Sequence, residues 1–416
     1  MSNNADKQQQ LLDRADIRVK HEAGIWGAIN AFLDRVRSGD LGALPVVVGL
    51  VVIWTVFATL NPIFLSSTNL VNLLFDSSTV GVIALGVVLM LMVGEIDLSI
   101  GSVSGFASAL LGVLWVNHGW PVPLAIVAAL AVGGLIGYLY AQLYNRFGMP
   151  SFVATLAGLL AVLGLQLYIL GGTGSINLPY GSPLVDFGQL LTMPQPLAYA
   201  FAAIPGIAMF LTGYRTAARR REAGLSSKSL GGVLLSAVVV TLGLELAVAY
   251  LNTSRGVPWM FGLFVLLVVG MNYALTRTKW GRSMTAVGGN REAARRAGIN
   301  VKAIYTSAFV FCAMFAALGG MLAASRLASA SQQAGTGDVN LNAIAAAVIG
   351  GTSLFGGRGS AWSALLGIIV IQSIANGLTL LDLSSSLRYM ITGGVLAIAV
   401  IVDSLARRSR ATHGRA

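Results

Sequence analysis

Side chains that perform chemistry are scarce in this sequence. One cysteine and three histidines occur among 416 residues, and the histidines, at 21, 118 and 413, are too scattered for a metal site. No H-E-x-x-H, C-x-x-C or G-x-S-x-G pattern is present, which leaves zinc hydrolysis, dithiol redox chemistry and a serine nucleophile without a motif. A G-x-x-x-x-G-K-[ST] phosphate loop is missing too, so any ATP that drives this protein must be bound by another chain. The expectation is a chain that is not an enzyme and binds no metal or cofactor of its own. Cys312 falls inside an apolar run, has no intrachain disulfide partner, and reads as a small packing residue.

Charge is the other shortage. Only 10% of residues are charged against 56% hydrophobic, and a mean hydropathy of +0.77 excludes a water-soluble globule. The expected fold is an all-α polytopic membrane protein of about 10–12 transmembrane helices, since roughly 20 apolar residues cross a bilayer. Twelve runs qualify, near 43–60, 78–94, 99–116, 122–143, 149–170, 196–212, 230–251, 259–276, 303–327, 341–356, 360–379 and 387–405. The runs at 78–94, 341–356 and 360–379 are short or interrupted by glycine, which predicts broken or re-entrant helices shielded by protein or beside a water-filled path. Gly133 and Gly137 form a G-x-x-x-G pair suited to close helix packing in lipid.

The net charge of +11 does not imply nucleic acid, because 22 of the 27 basic residues lie in four places: 1–42, 213–229, 277–302 and 406–416. Counting spans puts all four on one side, while the opposite loops (171–195, 252–258, 328–340, 380–386) hold only Arg255. This positive-inside pattern predicts that both termini are cytoplasmic. The expected organisation is an N-terminal segment 1–42, a membrane domain 43–405 and a basic tail 406–416. The N-terminal segment lacks an apolar run with a cleavage site, so no cleavable signal is expected. Its apolar residues, including Ile25, Trp26, Ile29, Phe32, Leu33 and Val36, recur at helical spacing, which fits either a helix on the membrane surface or a polar tail.

Two stretches stand out. "GGNREAARRAGIN", 288–300, is a charged island in the cytoplasmic loop 277–302; Asn290 can cap a short helix and Gly298 can end it in a left-handed conformation. Within it Glu292 and Arg296 are four apart, Arg291 and Arg295 form a second charged row, and Ala293 and Ala297 share a third face. The small face would admit a partner protein closely; the alternative is a solvated loop helix obeying the positive-inside rule. The second stretch, "VGEIDLSIGS" at 93–102, sets two carboxylates between apolar runs, so Glu95 and Asp97 are candidates for a substrate path or ion relay. Alternatively Asp97 caps a helix beginning at Leu98 and Glu95 sits in the cytoplasmic interface. "IGGTSLFGGRGSAWSALLG" at 349–367 has a similar layout. Setting Gly94 on Gly350 brings Leu98 onto Leu354 and Gly101 onto Gly357, which predicts two internally related halves with a path between them. Phe152, Gln166, Tyr168, Asn376 and Tyr389 could line a sugar-sized path, or could anchor interfaces and bond helices together.

Taken together, "GEIDLSIGS" (94–102), "PSFVATLAG" (150–158), "GGNREAARRAGINV" (288–301), "AIAAAVIGGTSLFGGRGS" (343–360) and "NGL" (376–378) resemble the permease family of sugar ABC importers. That family includes ribose and xylose types and relatives for branched-chain amino acids. The likeness runs from about residue 45 to 405 and is greatest to the xylose type, whose insertion the stretch from "RRREAGL" (219–225) to "RGVP" (255–258) resembles. The N-terminal extension and the segment 174–196 depart from the xylose pattern. The resemblance implies a bacterial inner-membrane permease, paired with a second copy or a related permease. It further implies cytoplasmic ATPases that bind ATP and Mg, and a periplasmic sugar-binding protein. Helix 290–298, comprising Asn290, Arg291, Glu292, Ala293, Ala294, Arg295, Arg296, Ala297 and Gly298, would be its coupling helix. A proton-coupled secondary transporter is the competing class, with Glu95, Asp97 and Glu245 as its only relay candidates.

Overall fold

The computed structural model describes residues 44–395, apart from 226 and 228, together with 397 and 401. The segment 1–42, the tail 406–416 and the end of the 387–405 run lie outside the described residues. Among those described, Met193–Gly256 form one compact unit and the rest of the chain another.

The larger unit opens with α1 (Leu44–Leu60), α2 (Ser67–Met92) and α3 (Ile100–Gly112), the last continued by a π-helical turn at Val113–Asn117. Next come α4 (Val122–Phe147), α5 (Ser151–Leu170), strand β1 (Ser175–Asn177) and the short α6 (Pro183–Gln189). In the second unit α7 (Gln195–Glu222) and α8 (Leu230–Leu251) form a hairpin. The larger unit then resumes with α9 (Trp259–Arg277), α10 (Lys279–Gly289), α11 (Arg291–Arg296), α12 (Val301–Leu327) and strand β2 (Ser329–Ser331). It closes with α13 (Val339–Ile349), α14 (Ala361–Leu380) and a helical stretch at 385–395. Nine helices among the described residues are long and apolar enough to cross a membrane, and each apolar run read from the sequence contains helix where it is described.

Local sequence explains the boundaries. Ser66 accepts the Asn69 amide to start α2, and Asn300 accepts that of Ala303 to start α12. Between α4 and α5, Gly148 takes a left-handed conformation at φ 67 and Pro150 opens the next helix.

Helix α12 is the centre of the larger unit and packs on α2, α3, α4 and α6. Small residues let its backbone approach its neighbours, which is how helices associate in lipid. A Cβ added to Gly133 would stand 2.7 Å from the Ala317 Cβ, and one on Gly137 would stand 2.9 Å from that of Ala313. The G-x-x-x-G pair thus seats α4 on α12 as expected. On the far end of this unit β1 pairs antiparallel with β2, and Thr192 bridges Pro258. Three loops that the charge pattern assigns to one side, 171–195, 252–258 and 328–340, are therefore joined at one end.

Two expectations are corrected. The run at 78–94 is not a short or broken helix: α2 is continuous over 26 residues, because Asn69, Ser77, Ser78 and Thr79 are buried within the unit although they lower the hydropathy. The run at 360–379 is likewise an unbroken 20-residue helix. Its Gly367 is a contact rather than a break, facing the backbone of Ala346 in α13. The genuinely short element is α13, whose 11 residues rise only about 16 Å. At the ends of α2 and α13 Gly94 is left-handed at φ 80, whereas Gly350 is helical at φ −68 and the left-handed glycine falls one residue later, at Gly351.

In the hairpin unit, Gly206 faces Thr241 and Ala237, and a Cβ on Gly213 would stand 2.6 Å from a Val233 methyl. Ile204, Ile207, Leu234 and Val239 remain exposed, an apolar exterior suited to lipid.

Candidate functional site

Helix α11 forms as its residues dictate. The Asn290 side chain accepts the Ala293 amide at 2.9 Å, and Gly298 at φ 82 ends the turn with its amide donating to the Arg295 carbonyl. Ala294 is buried, whereas Ala293 and Ala297 are exposed and present small side chains outward. The expected Glu292–Arg296 pair is present at 3.2 Å, but Arg295 makes the closer contact, donating from Nε at 3.0 Å and Nη2 at 2.8 Å to the two carboxylate oxygens. This two-pronged fit of guanidinium to carboxylate outcompetes the single contact. Arg295, then Arg296, hold the Glu292 carboxyl below its ordinary value by hydrogen bonding. The pairs are exposed and contribute little to stability. Arg291 and Arg295 do not form the expected row, because the exposed Arg291 leans over the rings of Tyr144 and Tyr305.

Arg291 reaches Tyr144, at the end of α4, through a hydrogen bond from Nη1 at 3.3 Å. The Tyr144 hydroxyl donates to Glu95 Oε1 at 2.6 Å. Glu95 therefore sits in the α2–α3 break, tied to the loop that carries α11. Beside this link, backbone meets backbone at glycine. The Gly357 amide donates to the Met92 carbonyl at 3.0 Å, Gly288 lies against the same carbonyl, and a Cβ on Gly356 would stand 2.6 Å from the Gly288 carbonyl. The three motifs singled out in the sequence, at 93–102, 288–300 and 349–367, thus meet at one junction.

Asp97 is 4% exposed, and its Oδ1 accepts from both the amide and the hydroxyl of Ser99, at 2.8 and 2.7 Å. It shapes the approach to α3, which begins at Ile100 rather than Leu98; the Leu98 amide is taken by the Thr155 hydroxyl at 3.1 Å. Asp97 Oδ2 and the Tyr140 hydroxyl are both buried without a hydrogen-bond partner.

The remaining path candidates make separate contacts. Gln166 is fully buried and donates to the carbonyls of Ser331 and Ala334, at 2.9 and 3.0 Å, binding α5 to the β2 loop. Asn376 exchanges hydrogen bonds with Asn69 at 2.8 and 3.0 Å, joining α14 to α2. Phe152, Tyr168 and Tyr389 lie on exposed faces. No cluster of histidine, cysteine or acidic residues that could hold a metal occurs among the described residues. Sequence reasoning misses Tyr144 and Tyr305, both of which contact Arg291. Tyr144 carries one weak signal, a tyrosine in the last turn of a membrane helix, which ordinarily reads as an interface anchor.

Residues 69–400 match the family model described as branched-chain amino acid transport system / permease component. The chain belongs to this permease family. It is 35% identical over 377 residues to the xylose transport system permease protein of Escherichia coli strain K12, covering 89% of this chain and 94% of that protein. The corresponding protein of Haemophilus influenzae is 32% identical, with 89% and 98% covered. The ribose import permease protein of Escherichia coli strain K12 is 29% identical over 86% of this chain and 92% of its own length. No solved structure matches. The family agrees with the resemblance carried by the motifs, and the nine apolar helices make this member a multi-pass membrane protein.

Proposed function

We propose that this chain is the membrane-spanning subunit of an ATP-driven ABC importer for a monosaccharide, D-xylose. Two copies would form the path in the bacterial inner membrane, with both termini cytoplasmic. A periplasmic binding protein would deliver the sugar, and separate cytoplasmic ATPases would bind ATP and Mg. Similarity to xylose permeases from two organisms, along about nine tenths of this chain, is the observation that carries this reading. A pore that must release its cargo cannot hold it tightly, so part of the sugar specificity would lie with the binding protein. Another pentose or hexose is the second reading, favoured by the matched length of the ribose permease.

Helix α11 with its flanks, Asn290 to Gly298, is the proposed docking element for the ATPase. Its exposed Ala293 and Ala297 allow close approach, and α10 before it touches both helix breaks, so nucleotide-driven motion of the ATPase has a short route into the membrane. Of the relay candidates of a proton-coupled carrier, Glu95, Asp97 and Glu245, Glu95 accepts from Tyr144 of α4 and Asp97 accepts through Oδ1 from Ser99. The test is uptake of labelled xylose into proteoliposomes, with the neighbouring ATPase inside and the candidate binding protein outside. ATP-dependent uptake that persists with an uncoupler supports the importer, and competition by ribose, arabinose and glucose ranks the cargo. Uptake that needs no ATPase and collapses with the uncoupler refutes it. Ala297→Trp should abolish uptake while leaving membrane insertion intact.

A further inference from the structure

Arg291 opens α11 and, although exposed, leans over two aromatic rings. Its guanidinium carbon stands 5.4 Å from the ring centre of Tyr305 and 5.8 Å from that of Tyr144, and the two rings are 4.8 Å apart. Tyr305 is buried on α12, so this aromatic floor is fixed to the central helix. Above it one phenol oxygen serves two segments: it accepts from Arg291 at 3.3 Å and donates to Glu95 at 2.6 Å. A phenol suits this place because a hydroxyl is donor and acceptor at once. Its proton points to the carboxylate and its lone pair to the cation, so each hydrogen bond is charge-assisted.

The nearby contacts among Gly288, Met92 and Gly356 are close backbone approaches, supplemented by the single Gly357–Met92 hydrogen bond. Packed surfaces transmit a push better than a pull, because dispersion contacts lose about a quarter to a half of their attraction over a gap of about 0.5–1 Å. A hydrogen-bonded ion bridge resists displacement in both directions. The geometry points to Tyr144 as a positioning residue whose hydroxyl ties the start of α11 to the α2–α3 break, passing both strokes of a docked ATPase to that break. This assignment rests on the importer reading.

The test uses the full chain reconstituted with its neighbouring ATPase and binding protein. Tyr144→Phe keeps both rings and deletes only the shared oxygen. Arg291→Gln removes the cation, and Ala297→Trp serves as a docking control. Three quantities are read: ATPase co-purification, ATP hydrolysis, and sugar delivered per ATP. Tyr144→Phe should retain co-purification and hydrolysis within about twofold, while sugar per ATP falls about tenfold or more in it and in Arg291→Gln, the scale of one hydrogen bond to a charged group. The double variant should be no worse than either single, since both break one bridge. Sugar per ATP unchanged in Tyr144→Phe, or losses that multiply in the double variant, overturns the assignment. Loss of co-purification in Tyr144→Phe matching that in Ala297→Trp overturns it too, by making Tyr144 part of docking rather than of positioning. A wild-type complex without ATP-driven uptake fails at an earlier step and overturns the importer reading itself.

Discussion

Gly288 and Gly289 are neighbours at the end of α10, and alanine should have opposite effects at the two positions. Alanine is better than glycine inside a helix by about 1 kcal/mol, so at an open position the exchange stabilises. A Cβ on Gly289 would meet nothing within 4 Å. On Gly288 it would run into the Met92 carbonyl and stand 2.6 Å from the Gly357 nitrogen, whose amide donates to that carbonyl at 3.0 Å. The surrounding atoms are backbone and cannot rotate away. Overpacking costs about 1–3 kcal/mol, and the half-buried Gly357 amide that loses its acceptor adds up to about 1–3 kcal/mol more. Against the propensity gain, Gly288→Ala should lose roughly 1–5 kcal/mol. The single cysteine supplies the assay: Cys312 is fully buried, so a thiol-reactive dye reports unfolding of the solubilised protein. Gly289→Ala should melt at or above the wild type, and Gly288→Ala several degrees below it. Equal melting of the two variants would show that the three segments do not meet as described.

Other substitutions probe the packing around this junction. Gly137→Val should destabilise by about 1–3 kcal/mol in the same assay, because its Cβ would stand 2.9 Å from that of Ala313. Gly134→Ala should be tolerated, since its Cβ would meet the flexible Met314 at 3.4 Å and Val310 at 3.8 Å, within van der Waals contact. Asn69→Ala strands the Asn376 amide and should cost about 1–3 kcal/mol. Adding Asn376→Ala should then cost little more, and strictly additive losses would argue against a reciprocal pair.

Features set by a few neighbouring residues are legible in the amino-acid sequence alone: the Asn290 cap and the left-handed Gly298. The apolar runs locate helices for the same reason, and the basic loops order the chain ends of those helices. Legibility fails where meaning depends on what lies opposite. A glycine in an apolar run is the same letter whether it breaks a helix or admits a neighbour. Gly81 and Gly86 in α2 do the second, facing Phe264 and the Cys312 backbone. Polar letters mislead similarly, because Ser77, Ser78 and Thr79 look like a loop to a hydropathy window yet lie buried in α2. The charged rows expected of α11 are those of an isolated helix, and Arg291 leaves its row because α4 and α12 bring two tyrosines to it.

The shortness of α11 has a consequence of its own. Isolated helices below about 12–15 residues are marginal in water, and this one has six. Its order must come from anchorage: the Asn290 cap, the buried Ala294, the left-handed Gly298 and Arg291 resting on two rings. A docking partner that recognises the formed helix then need not spend binding free energy on ordering it. Asn290→Ala removes one acceptor and should cost about 0.5–2 kcal/mol of local stability. If that cost falls wholly on the binding-competent fraction, the apparent affinity for the ATPase drops by up to about 30-fold. Asn290→Asp, an equally good cap, should restore it. The measurement is co-purification at limiting ATPase concentration, with the melting temperature as a check that the bundle is intact. Full-strength docking by Asn290→Ala would mean that the partner itself orders α11, and that the cap serves only the free chain.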